Sequence, residues 1–105
     1  MTQLKAAISH HEAEVATLRT DKKLTIAYLN AALESFNHAE DKEAALLALR
    51  AIAEAHGGLS KIAKEAGIQR ESLYRALSPK GNPTFKTLLA VIHAAGAKLT
   101  VEKAC

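Results

Sequence analysis

The sequence predicts an all-α fold of five or six helices, built around a repressor-like helix-turn-helix and closed by one short C-terminal β-strand. Three observations carry that reading. Apolar residues recur at three- and four-residue spacing along most of the chain, the pattern of helices that bury one face. The breaks between these stretches fall at glycine, proline or short polar residues, which stop or cap helices. Beyond Gly96 the spacing shortens to two, the repeat of a half-buried strand. At 105 residues the chain is expected to form a single globular unit, with residues 21–105 as the helix-turn-helix domain and residues 1–20 as an N-terminal helical extension.

The elements follow in chain order. Ser9, His10, His11 and Glu12 have capping-box spacing, which starts a helix there and runs it to about Arg19; Leu4, Ile8, His11, Val15 and Leu18 also suit one longer helix. Asp21 is expected to cap a second helix through Phe36, with Leu24, Ala27, Tyr28 and Ala31 on its inner face. Asp41 is expected to cap a third through His56, carrying Leu46, Leu49, Ile52 and Ala53, and Gly57-Gly58 ends it. Ser60 can cap a fourth helix through its hydroxyl, Ile62, Ala63 and Ala66 repeat at helical spacing, and Gly67 supplies the positive φ that stops it. Ile68 anchors the turn, and Leu73, Ala76 and Leu77 form one apolar stripe on a fifth helix. The segment from Ser78 to Pro83 is a turn, after which Asn82 or Thr84 caps a sixth helix bearing Phe85, Leu88, Leu89 and Ile92 and stopping at Gly96. From Ala97 to Lys103, apolar Ala97, Leu99 and Val101 alternate with Lys98, Thr100 and Glu102. A lone strand leaves backbone groups unpaired, so Leu99 and Val101 are candidate contacts of a homodimer in which the strands pair across subunits; the alternative is an extended tail on its own subunit.

The fourth and fifth helices together point to double-stranded DNA. Two helices crossing steeply must approach closely, which the small side chains of Ala63 and Ala66 permit. The outer face of the fifth carries Gln69, Arg70, Glu71, Tyr74 and Arg75, donors and acceptors suited to base edges in the major groove. Ser60, Lys61, Lys80, Asn82 and Lys86 are candidate phosphate contacts. Charge is distributed accordingly. Residues 1–58 hold six basic and eight acidic side chains, a net of −2, whereas Leu59 to Lys86 hold six basic and two acidic, a net of +4. The plainer alternative is an antiparallel helix pair whose charges merely face solvent.

Other function classes find little support. The five histidines, His10, His11, His38, His56 and His93, are scattered, with no HExxH, no Cys/His zinc set and no phosphate-cradling GxxxxGK. His10 and His11 are adjacent, and neighbours on a helix point about 100° apart, a poor arrangement for sharing one metal. No enzymatic activity, metal or cofactor is therefore expected. No apolar run reaches the roughly 20 residues of a membrane span, the amino terminus lacks a signal-peptide core, and the single Cys105 has no internal partner. A cytoplasmic protein without a membrane partner is expected.

Three stretches carry a family resemblance: Ile26-Ala27-Tyr28-Leu29-Asn30-Ala31-Ala32-Leu33-Glu34, Leu59-Ser60-Lys61-Ile62-Ala63, and Ser72-Leu73-Tyr74-Arg75-Ala76-Leu77-Ser78 through Gly81-Asn82-Pro83-Thr84-Phe85. Together they resemble the addiction-module antidote family, the HigA-like antitoxins of type II toxin–antitoxin systems, over roughly Asp21 to Glu102. Gln69 stands where many such motifs have a Ser or Thr cap, and the segment before Asp21 is longer than usual. The resemblance implies a dimeric antitoxin that neutralises a cognate RelE/ParE-like toxin and represses its own operon; a stand-alone phage-type repressor is the alternative. On this reading the apolar seam of Leu4, Ile8, Val15 and Leu18, with Glu12 and Glu14 beside it, is a candidate toxin-binding surface, unless it packs on the second helix or on the other subunit.

Overall fold

Several helix boundaries in this protein are set by a single capping side chain or glycine. The computed structural model describes residues 2–105, with side chains from His10 onward. Among the described residues it contains α1 (Thr2–Thr20), α2 (Lys22–Ser35), α3 (Lys42–Ala55), α4 (Gly58–Ala66), α5 (Arg70–Ala76) and α6 (Phe85–Ala94), with a 3₁₀ turn at Ala39–Asp41. The first helix is thus the longer of the two alternatives, one uninterrupted element.

The caps account for this segmentation. The Asp21 carboxylate accepts the Leu24 N–H at 3.0 Å, starting α2. Thr84, rather than Asn82, caps α6, its hydroxyl accepting the Thr87 N–H at 3.2 Å. At Gly67, φ is 72°, and the chain closes α4 with paired bonds from Gly67 N–H to the Lys64 carbonyl (3.3 Å) and from Ile68 N–H to the Ala63 carbonyl (3.0 Å). This is a Schellman motif, and it recurs at Gly96, where φ is 77° and Ala97 N–H reaches the Ile92 carbonyl at 3.1 Å.

Two expected caps are absent. Asp41 makes no side-chain bond to α3, because the 3₁₀ turn brings the chain in with Asp41 at φ −100°, ψ 0° rather than in the extended geometry a capping side chain needs. Ser60 does not cap α4 either: the helix begins two residues earlier, behind Gly57 at φ 111°, which leaves Ser60 exposed inside the first turn.

The central helix is α3, packed against α1, α2, α4 and α6. Leu46, Leu49, Ile52 and Ala53 are fully buried, as their spacing predicts. Ala45, Ala51 and Ala55 are buried as well, and these short side chains let neighbouring helices close in on several sides. The inner face of α2 differs from the expected one. Thr25, Leu29 and Ala32 are buried, Leu24 and Tyr28 are half-buried, and Ala27 and Ala31 face outward. The physical reason is a polar one: the Thr25 hydroxyl donates to the Leu18 carbonyl at 2.9 Å and lies 3.2 Å from His56 Nε2, so a threonine can occupy the core with its polar atom paired.

The C-terminal strand is also corrected. Among the described residues no strand forms, and the chain after Gly96 runs as an irregular tail. The two-residue alternation is present, but a strand needs a second strand, and the tail instead meets helices: Ala97 and Leu99 lie against a hollow formed by Ile26, Leu29 and Leu33 of α2 and Ile92 of α6.

Candidate nucleic-acid interface

The pair α4 and α5 is joined by the three residues Gly67, Ile68 and Gln69. The left-handed glycine turns the chain, and half-buried Ile68 ties the turn to the core. Ala63 is buried where α4 meets its neighbours, and Leu73 and Leu77, both fully buried, attach α5 from beneath. With those two leucines facing inward, the opposite side of α5 must face out. Gln69, Arg70, Glu71, Tyr74 and Arg75 are all exposed, and the last four line one shallow depression of about 300 Å³. Gln69 precedes the helix with φ −75° and ψ 143° and makes no side-chain capping bond, so its amide is uncommitted.

A second depression, about 450 Å³, continues from the first along the α5–α6 connection and brings Ser72, Arg75 and Asn82 together with Thr84. Ser72 belongs to this surface although no sequence pattern singles it out; its exposure one residue before buried Leu73 is the signal that finds it. Of the expected phosphate contacts, Asn82 alone lines this surface. The Lys61 stem covers Gly57 at the start of α4, and the Lys86 ammonium lies over Gly67 at its end, so these two lysines mark opposite ends of a nine-residue helix. Lys86 is also well placed against the negative end of the α4 dipole. Ser60 and Lys80 are exposed.

The connection after α5 is held by a close backbone approach. Gly81 is buried, its N–H donates to the Ser78 carbonyl at 2.8 Å, and a Cβ there would overlap the Ala76 carbonyl oxygen and lie 2.5 Å from the Arg75 carbonyl oxygen. Only glycine allows the loop to seal the end of α5 in this way.

One interaction on this face was not legible in the sequence. Arg50 of α3 lays its guanidinium over the Tyr74 ring, with Cζ 4.3 Å from the ring centroid. Arg50 Nε donates to Glu54 at 3.3 Å, and Glu54 in turn meets His11 Nε2 of α1 at 2.6 Å. The Tyr74 interaction first, and Glu54 after it, raise the Arg50 pKa above its ordinary value against the opposing effect of burial.

The two other candidate surfaces fare differently. Of the proposed toxin-binding seam, Leu4 and Ile8 lie outside the residues whose side chains are described, and Val15 and Leu18 are buried against this chain's own core. Leu18 is wholly enclosed and belongs to the hydrophobic core, so neither it nor Val15 forms part of an open seam. Of the proposed dimer contacts, Leu99 is 40 % and Val101 94 % exposed, on the tail that replaces the expected strand. Among the described residues, no three His, Cys, Asp or Glu side chains gather into a metal-holding group, and no helix is long and apolar enough to cross a membrane.

Comparison with known proteins bears on this arrangement. The family model for probable addiction module antidote proteins matches residues 9–103. An uncharacterized protein of Haemophilus influenzae (strain Rd) is 41 % identical over 90 residues, covering 86 % of this chain and 88 % of the relative. No solved structure matches. A match that takes in every helix from the middle of α1 to the tail leaves one assignment: the chain belongs to the family of probable addiction module antidote proteins.

Proposed function

We propose that this antidote is a HigA-like, DNA-binding antitoxin that neutralises a RelE/ParE-like toxin and represses its own operon as a dimer. The observation that carries the DNA reading is the exposed surface of α5, where Arg70, Glu71, Tyr74 and Arg75 stand together on a helix attached by two buried leucines. The loop that Gly81 seals onto the end of α5 extends this exposed surface to Asn82. The local net of +4 from Leu59 to Lys86 supports phosphate neutralisation around it. Gln69, Arg70, Glu71, Tyr74 and Arg75 read bases, and Ser60, Lys61, Lys80, Asn82 and Lys86 hold the backbone.

Half-site recognition requires two such helices about 34 Å apart, hence a dimer. Exposed Phe85 at the start of α6, together with Leu99 and Val101 of the tail, offers apolar surface for it. Toxin docking falls to the segment before His10, since Val15 and Leu18 are committed to the core. Removal of residues 1–9 is expected to abolish toxin neutralisation and to leave operator binding, and full neutralisation by the shortened protein overturns this docking segment.

The test is fluorescence anisotropy on the protein's own promoter against scrambled duplex. Arg75→Ala is expected to weaken specific binding by about 1 to 3 kcal/mol and to relax one operator position. Equal affinity of the unaltered protein for promoter and scrambled DNA overturns the reading.

A further inference from the structure

Tyr74 occupies an unusual place on the outer face of α5. It is 42 % exposed, so part of its ring is open to a ligand, while a face of the same ring is covered by the Arg50 guanidinium. Leu73 and Leu77, the leucines that attach α5, are fully buried, and Tyr74 stands on the flank of the helix beside them. The contact on its ring comes from α3, which is not otherwise among the principal packing partners of α5. Arg50 is itself restrained. It sits one turn before Glu54 on the same helix face, donates to Glu54 Oε1, and Glu54 Oε2 is held by His11 of α1. A flexible surface arginine samples many rotamers; one stacked on a ring and tethered to a fixed carboxylate samples few.

We propose that Arg50 is a positioning residue for the base contact made by Tyr74, with Glu54 and His11 fixing Arg50 in turn. The proposal rests on the reading of α5 as the DNA-contacting helix. A planar guanidinium is required, since only a flat cation can cover the ring while its Nε stays directed at Glu54; a lysine would keep the charge and lose the orientation. The role differs from phosphate binding, in which charge alone suffices and each neutralised phosphate adds to the salt dependence of affinity.

The experiment measures operator affinity, its salt dependence and the preference at each operator position for the full-length protein and for Arg50→Ala, Arg50→Lys, Tyr74→Ala and the Arg50→Ala/Tyr74→Ala pair, with thermal melting of each as a check on folding. Arg50→Ala and Arg50→Lys are each expected to lower specific affinity about three-fold, to relax the same operator position as Tyr74→Ala, and to leave the salt slope unchanged. In the Tyr74→Ala background the loss of Arg50 should add nothing. Rescue by lysine, a salt slope reduced by about one, or a further loss in the Tyr74→Ala background overturns the positioning role while leaving the DNA reading intact. If the unaltered protein shows no operator preference, the DNA reading fails and the positioning role fails with it.

Discussion

Replacing Gly81 by alanine tests how α5 is held. No backbone strain is involved, because Gly81 is not among the positive-φ glycines; the obstacle is a Cβ driven into the Ala76 carbonyl and to 2.5 Å from the Arg75 oxygen. Both are backbone atoms at the last turn of α5 and cannot rotate away. The loop must lift, and the hydrogen bonds broken with it are Gly81 N–H to the Ser78 carbonyl (2.8 Å), Ser78 N–H to the Arg75 carbonyl (3.2 Å) and Ser78 Oγ to the same carbonyl (2.7 Å). At about 1 kcal/mol each the cost is about 3 kcal/mol. For a domain of this size that corresponds to a fall in Tm of about 10 to 20 °C. Gly58→Ala is the matched control: its Cβ meets nothing within 4 Å, and only its φ of 86° is unfavourable, costing about 1 kcal/mol. Melting of both variants, followed by circular dichroism at 222 nm, gives the comparison. A Gly81→Ala protein that melts no lower than Gly58→Ala refutes the argument.

Two further outcomes are expected. Ala63→Leu overfills the contact between α4 and its neighbours and should destabilise by about 1 to 3 kcal/mol, read from urea unfolding; an unchanged midpoint would show that α4 has room the burial of Ala63 denies. The Tyr28 phenol is pushed above its ordinary value of 10.0 by burial and by its 3.1 Å hydrogen bond to Glu14. A raised folded-state pKa contributes stability that is complete below the unfolded value and is lost as pH rises through the folded one, so the loss falls above pH 10.0. Glu14→Gln should move the Tyr28 ionisation, followed by absorbance at 295 nm in a Tyr74→Phe background, to lower pH; no movement would sever the link between the two residues.

What the sequence disclosed and what it hid divide along sequence separation. Asp21, Gly67 and Gly96 act on residues within five positions, and their effects were legible because the chemistry is local. The stripe of α3 was legible because one face is dense in leucine and isoleucine. In α2, apolar and small residues surround the whole helix, and burial was decided by Thr25 meeting Leu18 and His56 from two other elements, which no periodicity encodes. The tail failed as a strand for the same reason: alternation states what a chain could pair with, not whether a partner strand exists. On the candidate interface the exposed set on α5 followed from the position of Leu73 and Leu77, whereas Arg50, 24 positions before Tyr74, joins that set only in three dimensions. Ser60 has the chemistry of a cap without the position of one, because the bare left-handed Gly57 already begins the helix.

The brevity of α5 has a dynamic consequence. Seven residues are too few to hold helical order unaided, so α5 persists only while Leu73 and Leu77 are seated and the Gly81 loop closes its end. The centre of α3, enclosed on several sides, can open only with the whole domain. Amide hydrogen exchange should therefore divide the protein into two tiers: amides around Leu49 and Ile52 exchanging through global unfolding, and those of Leu73 to Leu77 through a smaller excursion of α5 and its loop. The exposed set of Arg70, Glu71, Tyr74 and Arg75 rides on that second tier and can shift without the core being disturbed.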